Sequence, residues 1–354
     1  MNIMVFDVPA ENGGALSILK CVYDEAVAHH DKSIKWIFVL SKPYLTETSE
    51  VKILRYPWIK KSWCHRYFFD YVIARKLAKK FEVELILSLQ NIIIPGVNIK
   101  QILYVHQSLP FVERKYTFFE NKTFWIYQNI IGKKIIQSIK KADQVIVQTI
   151  WMKKVCIEKA KVDNLKIRVV PPKFNFVITN SSKLSLDRKT FFYPASAMEY
   201  KNHNVIVEAS ERLQQENIFN YAVILTVKGD ENDYIKKLNK KVNEKGLPIK
   251  FIGHIPQADV FQLYSNSILL FPSLIETFGL PLQEGRMHKC IILASNKPFS
   301  KEVLENYSNS YFFDPLNGSE LFYLMKSVIN EDIKMNEVED QMILKNNSFL
   351  SNII

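Results

Sequence analysis

Cysteine, glycine and long apolar runs are all scarce in this sequence of 354 residues. The four cysteines have neither metal-ligand spacing nor the density of a disulfide framework, so we expect them to be reduced, structural residues. No apolar run approaches the ~20 residues that a membrane-spanning helix needs. The stretch Met1–Asp7 lacks the basic region of a secretion signal and is predicted to be a buried strand. Together these absences predict a cytoplasmic globular protein.

Two ligand-binding signatures are also missing. No Gly-x-Gly-x-x-Gly with a downstream acidic residue occurs among the ten glycines, which argues against a dinucleotide-dependent oxidoreductase. No Asp-x-Asp sequence of the kind that holds a metal occurs either. We therefore expect neither a bound metal nor another cofactor.

Negative charge is scarce in the N-terminal half. Residues 1–172 contain 27 Lys and Arg against 15 Asp and Glu, which accounts for the whole excess behind the net charge of +11. The basic residues cluster in 52–80 and 114–141, where they are interleaved with aromatic residues. This mixture is typical of binding to an anionic membrane surface, where each Lys or Arg contributes about 1 kcal/mol. No nucleic-acid motif accompanies the charge, so we expect no nucleic-acid partner. The simplest alternative is that the rings fill the core while the lysines solvate helix faces.

Short apolar strands alternate with amphipathic helical stretches along the whole chain. This order predicts α/β domains with parallel sheets covered on both faces. Pro171–Pro172 break the pattern, and a polar stretch follows them. The predicted organisation is a first domain at 1–172, a linker at 173–188 and a second domain at 189–331.

The most informative segment connects an apolar strand, Ile268–Phe271, to a helix predicted to begin at Pro281, where a missing N–H costs nothing. Gly279 lets backbone N–H groups approach a phosphate, and the helix dipole favours negative charge there. Glu276 precedes the helix and Glu284 lies one turn inside it, so the two carboxylates flank one anion pocket. Carboxylates beside a phosphate are expected to bond hydroxyl groups, and a nucleotide sugar offers these on its ribose and on its hexose.

A lone pair of glutamates would be ordinary on a surface helix, but the flanking residues carry a specific resemblance. Phe-Pro-Ser, Glu-Thr-Phe-Gly-Leu-Pro-Leu and Glu284, followed by the strand Ile291–Asn296, closely resemble the donor-site signature of retaining glycosyltransferases of family 4. The resemblance implies the GT-B fold, in which two Rossmann-like α/β domains face each other across a cleft. It also implies that residues 332–354 form a final helix that returns to the first domain.

The resemblance assigns roles to residues of the second domain. Glu284 is expected to bond the ribose hydroxyls and Glu276 the hydroxyls of the transferred sugar. The amides around Phe278, Gly279 and Leu280 are expected to hold phosphate or sugar. In such enzymes helix dipoles and cationic side chains take the place of a metal, which fits the missing Asp-x-Asp.

Lys201 is the predicted cation of this site. It lies between the first strand of the second domain and the following helix, where it can bond both phosphates and offset charge on the leaving nucleotide. Taken alone, it would more often be a surface lysine. Many relatives carry an Arg a few residues earlier, after a Gly, where this chain has Pro194–Ser196.

Two further features fit the resemblance in the first domain. Gly13 and Gly14 follow the first strand and precede a helix, a position close to the donor diphosphate and the acceptor in the family, although such a pair is usually only a turn. His106 lies just past the carboxyl end of a strand, where α/β sheets bind ligands. It is expected to position the sugar or to stabilise charge at the reacting centre, while a structural histidine is equally consistent with the sequence alone.

These observations predict a retaining, metal-independent hexosyltransferase. It would move a hexose from a UDP- or GDP-linked donor to a hydroxyl of a polyprenyl diphosphate-linked oligosaccharide, as a peripheral protein on the cytoplasmic face of the inner membrane. The stretches 106–111 and 147–152 resemble bacterial O-antigen and capsule enzymes. Two alternatives stay open: a sugar-nucleotide epimerase of the same fold, against which the glutamate signature argues, and a catalytically inactive subunit that binds glycan or membrane.

Overall fold

Each half of the chain forms its own parallel sheet. The computed structural model describes residues 1–11, 13–172, 189–336 and 349–352, which separate into two compact units. The first unit contains 1–172 together with 349–352, and the second contains 189–336. The predicted linker at 173–188 lies outside the described residues. Of the predicted final helix at 332–354, residues 332–336 form no helix, Leu350–Asn352 form a 3-10 turn, and 337–348 and 353–354 lie outside the described residues.

The sheet of the first unit is parallel throughout the described residues. Its strands are β1 (Asn2–Asp7), β2 (Lys35–Leu40), β3 (Val51–Arg55), β4 (Leu85–Ser88), β5 (Lys100–Val105), β6 (Gln144–Val147) and β7 (Ile167–Val169). They are ordered β3-β2-β1-β4-β5-β6-β7, so the first strand lies inside the sheet and the chain grows outward from it in both directions.

The second unit repeats this plan. Its strands are β8 (Lys189–Tyr193), β9 (Tyr221–Leu225), β10 (Ile249–Phe251), β11 (Ile268–Phe271), β12 (Ile292–Ser295) and β13 (Ser310–Phe313). They pair in parallel in the order β10-β9-β8-β11-β12-β13. The prediction of two parallel-sheet α/β domains is confirmed.

Helices connect the strands in both units. In the first unit they are α1 (Gly13–Val27), α2 (Trp63–Phe68), α3 (Ala74–Lys80), α4 (Lys122–Ile126), α5 (Gly132–Lys141) and α6 (Ile150–Ala160). In the second they are α7 (His203–Gln215), α8 (Asp233–Lys245), α9 (Gln257–Asn266), α10 (Leu280–Met287), α11 (Pro298–Val303) and α12 (Gly318–Ile329). Single π-helical turns, Phe69–Ile73 and Tyr127–Ile131, join α2 to α3 and α4 to α5. Among the described residues no helix combines the length and the apolar character needed to cross a membrane.

Burial of the strands explains why the sheets form. In β2 every residue after Lys35 is buried, and β11 and β12 are buried along their whole length. A parallel sheet is covered on both faces, so its strands are continuous apolar runs instead of alternating ones. Removing these side chains from water is the main source of stability, at about 25 cal/mol per Å² of apolar surface.

Candidate active site

The second unit brings two loops together where its strand order reverses. The chain moves from β8 outward to β9 and β10, and then returns to β11 on the other side of β8. Since β8 and β11 are parallel neighbours, the loops that follow them leave the same edge of the sheet. Ligands in open α/β sheets bind outside the carboxyl ends of the strands at such a reversal. Lys201 follows β8 and Glu276 follows β11, so two predicted site residues meet at this edge.

Lys201 and Glu276 form a direct ion pair. Nζ of Lys201 lies 2.5 Å from Oε1 of Glu276, and each side chain is 16% exposed. Burial by itself would lower the pKa of Lys201, but the charge of Glu276 and the hydrogen bond to it raise that pKa above its ordinary value. Lys201 therefore carries a positive charge at neutral pH. The pair is accessible enough to contact a ligand and buried enough for each charge to act strongly on the other.

Hydrogen bonds hold both loops in place. The Ser273 hydroxyl donates to Oε1 of Glu276 at 2.7 Å, and Ser295 donates to the Ser273 carbonyl at 2.8 Å. On the other loop, the Tyr193 hydroxyl donates to the Lys201 carbonyl at 2.9 Å. Ser273, Ser295 and Tyr193 are fully buried. The ion pair is thus fixed from beneath by side chains that a ligand does not reach.

Gly279 lies between the two glutamates, immediately before the helix that contains Glu284. Its φ of 88° is left-handed, and a Cβ there would lie 3.1 Å from Leu282 and 3.2 Å from the Phe271 ring. Glycine avoids both the backbone strain and the contact. Helix α10 starts at Leu280, one residue before the predicted Pro281, because Gly279 takes the N-cap position. The amides of Phe278, Gly279 and Leu280 lie before the first intrahelical bonds, at the positive end of the helix dipole.

Glu284 lies one turn inside α10, as predicted, and is half-buried. The Tyr264 hydroxyl donates to its Oε2 at 2.9 Å. Burial raises the pKa of Glu284, and the hydrogen bond from Tyr264 opposes this. The carboxylate is therefore poised to accept hydrogen bonds from hydroxyl groups, since such bonds would compensate for the water it has lost.

Tyr264 is itself held by two residues that follow α10. The ring of His288 stacks on Tyr264 with 5.7 Å between centroids and 29° between planes. The Cys290 thiol donates to the Tyr264 carbonyl at 2.9 Å. His288 and Cys290 thus hold Tyr264 in place behind Glu284.

The remaining predicted residues lie in the first unit, on the carboxyl edge of its sheet. Gly13 and Gly14 are exposed and form the start of α1, which follows β1 at the reversal between β1 and β4. Gly13 has a left-handed φ of 58°, and a Cβ there would meet none of the described atoms within 4 Å. The need for glycine at this position is therefore conformational, and the open space leaves room for a ligand.

His106 follows β5 and is partly buried. Its backbone N–H donates to the Asn91 side chain at 2.7 Å. Burial lowers the pKa of His106 to about 4, against the opposing effect of a hydrogen bond to the Leu89 carbonyl. The imidazole is neutral at pH 7, so it can exchange hydrogen bonds with a hydroxyl but carries no positive charge. This favours sugar positioning over charge stabilisation.

Two contributors to the site were not predicted. Ser273 belongs to the Phe-Pro-Ser triplet of the signature, yet nothing in the sequence indicates that its hydroxyl reaches Glu276. Tyr264 lies 20 residues before Glu284, on α9. Pairing it with Glu284 requires the packing of α9 against α10.

The sequence itself matches a known family over the second half of the chain. Residues 176–346 match the family described as glycosyl transferases group 1. These residues are a glycosyl transferases group 1 domain. The glutamates, Gly279 and Lys201 all fall within it.

Two named relatives align with part of the chain. A capsular polysaccharide biosynthesis glycosyltransferase, CapH of Staphylococcus aureus, is 33% identical over 143 residues, which are 39% of this chain and 39% of that protein. O-antigen chain mannosyltransferase B of Escherichia coli is 29% identical over 106 residues, or 29% of this chain and 28% of the relative. The alignments thus span well under half the length of either relative.

Solved structures resemble the whole chain and show its fold. HepE of Anabaena, crystallised with UDP and glucose, has a TM-score of 0.68 at 16% identity, covering 94% of this chain and 90% of its own. WaaG, a glycosyltransferase of lipopolysaccharide biosynthesis, has a TM-score of 0.71 at 11% identity, covering 94% and 91%. Sucrose-phosphate synthase of Thermosynechococcus elongatus reaches 0.73 at 14% identity, covering 93% and 90%. The chain has the GT-B fold.

The described residues contain no group of three or more His, Cys, Asp or Glu side chains arranged to hold a metal ion. The expectation that this protein works without a metal or a cofactor stays a prediction.

The raised pKa of Glu284 generates a pH test. When the pH falls below that pKa, the carboxyl is protonated and accepts fewer hydrogen bonds from hydroxyl groups. We therefore expect the affinity for a UDP- or GDP-sugar to fall as the pH drops from 7.5 towards 5. His106, with a pKa of about 4, stays neutral over this range, and Lys201, whose pKa is raised, stays charged. Calorimetric titration at each pH measures the effect. Glu284→Gln should bind more weakly at pH 7.5 and show a flatter profile, and an equally steep profile in this variant would show that another group titrates.

Proposed function

We propose that this protein is a retaining glycosyltransferase of family 4 that transfers a hexose from a nucleoside diphosphate sugar without a metal. The observation that carries the proposal is the Lys201–Glu276 pair beside the start of α10. A cation and a helix N-terminus suit a diphosphate, and the adjacent carboxylate suits sugar hydroxyls. No other substrate class matches this combination as simply.

Each residue has a distinct role in the proposed donor complex. Lys201 and the amides of Phe278, Gly279 and Leu280 bond the diphosphate, and Lys201 offsets the charge that develops on it as it leaves. Glu284 bonds the ribose hydroxyls. Glu276 shares Lys201 with the ligand and accepts hydrogen bonds from the hexose.

Residues of the first unit contribute to sugar and acceptor binding in this proposal. His106, as a neutral imidazole, bonds a hydroxyl of the hexose. Gly13 and Gly14 let the backbone at the start of α1 approach the donor diphosphate.

The reaction retains the anomeric configuration. The bond between the anomeric carbon and the diphosphate oxygen breaks, and the acceptor oxygen forms its bond to the same face of that carbon. The acceptor proton passes to an oxygen of the leaving diphosphate, so the step needs no base from the protein. The site glutamates are assigned to hydroxyl binding, not to proton transfer.

The names of the relatives support the substrate class. CapH and the O-antigen mannosyltransferase are named for surface polysaccharides, and HepE was crystallised with UDP and glucose. We therefore propose a UDP- or GDP-hexose as donor and a polyprenyl diphosphate-linked oligosaccharide as acceptor, in O-antigen or capsule synthesis at the cytoplasmic face of the inner membrane.

A donor screen followed by a transfer assay tests the enzymatic proposal. We expect UDP or GDP to raise the thermal unfolding midpoint, and the matching labelled sugar nucleotide to transfer its hexose to a lipid-linked acceptor extract. Glu284→Ala should lower kcat/KM by about 10- to 100-fold, because hydrogen bonds to a charged group contribute about 1.5–3 kcal/mol.

The matched control is Glu244→Ala, since Glu244 is an exposed glutamate (61% exposed) on α8 of the same unit. It should leave kcat/KM unchanged. A product that stays attached to the nucleotide as an altered sugar would identify an epimerase, and the absence of any saturable nucleotide effect would identify a subunit without catalysis.

We also propose that the basic first unit binds an anionic membrane surface. The structure divides its aromatic residues into two groups, since Phe69 and Phe124 are buried while others are exposed. The exposed rings include Trp63, Tyr67, Phe68, Tyr71, Phe118 and Phe119. Nζ of Lys134 lies 5.7 Å from the Tyr67 ring and Nζ of Lys122 lies 5.5 Å from the Phe118 ring. Exposed rings beside lysines fit the headgroup layer.

Sedimentation with anionic vesicles tests membrane binding. We expect binding that weakens as salt is raised, because exposed charges are screened. The double variant Lys133→Gln, Lys134→Gln should weaken vesicle binding by about 2 kcal/mol, because each charge contributes about 1 kcal/mol. Lys236→Gln with Lys237→Gln, two exposed lysines of α8, is the matched control with the same change in net charge. Equal effects of both pairs, or binding that ignores salt, would contradict a specific surface on the first unit.

A further inference from the structure

Phe349 and Leu350 pack into the core of the first unit. They are 4% and 1% exposed and belong to the hydrophobic cluster that also contains Ile3, Phe38 and Tyr104. These two residues come after the whole second unit in sequence. The two residues therefore lie in the core of the first unit although they follow the second unit in sequence, and specific contacts hold them there.

Glu25 of α1 supplies the polar part of this attachment. Its Oε1 accepts the backbone N–H of Phe349 at 3.0 Å, and its Oε2 accepts the N–H of Leu350 at 2.8 Å. Hydrogen bonds to a charged acceptor are about twice as strong as neutral ones. The carboxylate therefore fixes the backbone of the segment, and with it the direction in which both side chains enter the core.

Phe349 contacts a line of rings that ends at the candidate site. The rings of Phe349 and Tyr104 pack edge to face, with 5.4 Å between centroids and 78° between planes. The ring of Tyr104 in turn lies beside the imidazole of His106, with 5.5 Å between centroids and 57° between planes. Tyr104 is fully buried, so its ring cannot move without displacing its neighbours. The Tyr104 ring thus contacts the Phe349 ring on one side and the imidazole of His106 on the other.

We propose that Phe349 is a positioning residue for His106, acting through the ring of Tyr104. The effect on catalysis rests on the proposed function, while the effect on His106 does not.

Leu350 provides the control that separates positioning from simple core filling. It is at least as deeply buried as Phe349 and bonded to the same carboxylate, but it is not part of the line of rings. Both Phe349→Ala and Leu350→Ala remove apolar atoms from the same cluster, so both should lower the thermal unfolding midpoint. Only the first should change the surroundings of His106.

The experiment measures the imidazole ¹⁵N and ¹H signals of His106 in the full-length protein, labelled at histidine and assigned by their loss in His106→Asn. Phe349→Ala should shift these signals, and Phe349→Leu, which keeps most of the volume, should shift them less in the same direction. Leu350→Ala should leave them in place. Unchanged His106 signals in both Phe349 variants, or an equal shift in Leu350→Ala, would overturn the proposal.

A transfer assay adds a second readout. Phe349→Ala should lower kcat about tenfold, because small displacements of a positioning group are costly, with little change in the KM for the donor. Leu350→Ala should keep kcat near that of the unchanged protein at a temperature where both are folded. If the His106 signals move as expected but the unchanged protein transfers no sugar, the proposed function fails and the positioning role stands.

Discussion

The ion pair between Lys201 and Glu276 is the constraint on which the candidate site depends. Two loops separated by 75 residues are joined by it at the edge of one sheet. With side chains only 16% exposed, each charge is strongly affected by the presence of the other, and removing one would leave an uncompensated charge in a largely buried place. The pair also prepares both groups for a ligand, because the cation is already placed for an anion and the carboxylate for hydroxyl groups.

The fold makes this pair possible. Apolar strands buried on both faces leave their polar loops at the strand ends, and the reversal of strand order places the loops after β8 and β11 side by side. Gly279 then turns the chain directly into α10, so that the helix start, Glu276 and Glu284 all derive from one short segment. The same reversal in the first unit leaves open space at Gly13. One topological rule therefore generates a candidate ligand-binding edge in each unit.

Local features of the site could be predicted from the sequence, and contacts between distant segments could not. The strand, the glycine and the proline before Glu284 define the start of α10 within one residue, because turn and capping preferences act over a few neighbours. The ion pair depends on which strands are adjacent, and the Tyr264–Glu284 bond depends on helix packing. The attachment of Phe349 to Glu25, 324 residues away, depends on the path of the whole chain. No periodicity or motif reports such pairings.

We expect one ligand to contact both members of the pair, with its diphosphate at Lys201 and its sugar at Glu276. The most direct measurement is calorimetric affinity for UDP or GDP and for the corresponding sugar nucleotide, in the unchanged protein, Glu276→Gln and Lys201→Met. We expect Glu276→Gln to weaken the sugar nucleotide relative to the free nucleotide by about fivefold, or about 1 kcal/mol, and Lys201→Met to weaken both alike. If Glu276→Gln leaves the ratio of the two affinities, for sugar nucleotide and for free nucleotide, unchanged, the sugar does not contact Glu276.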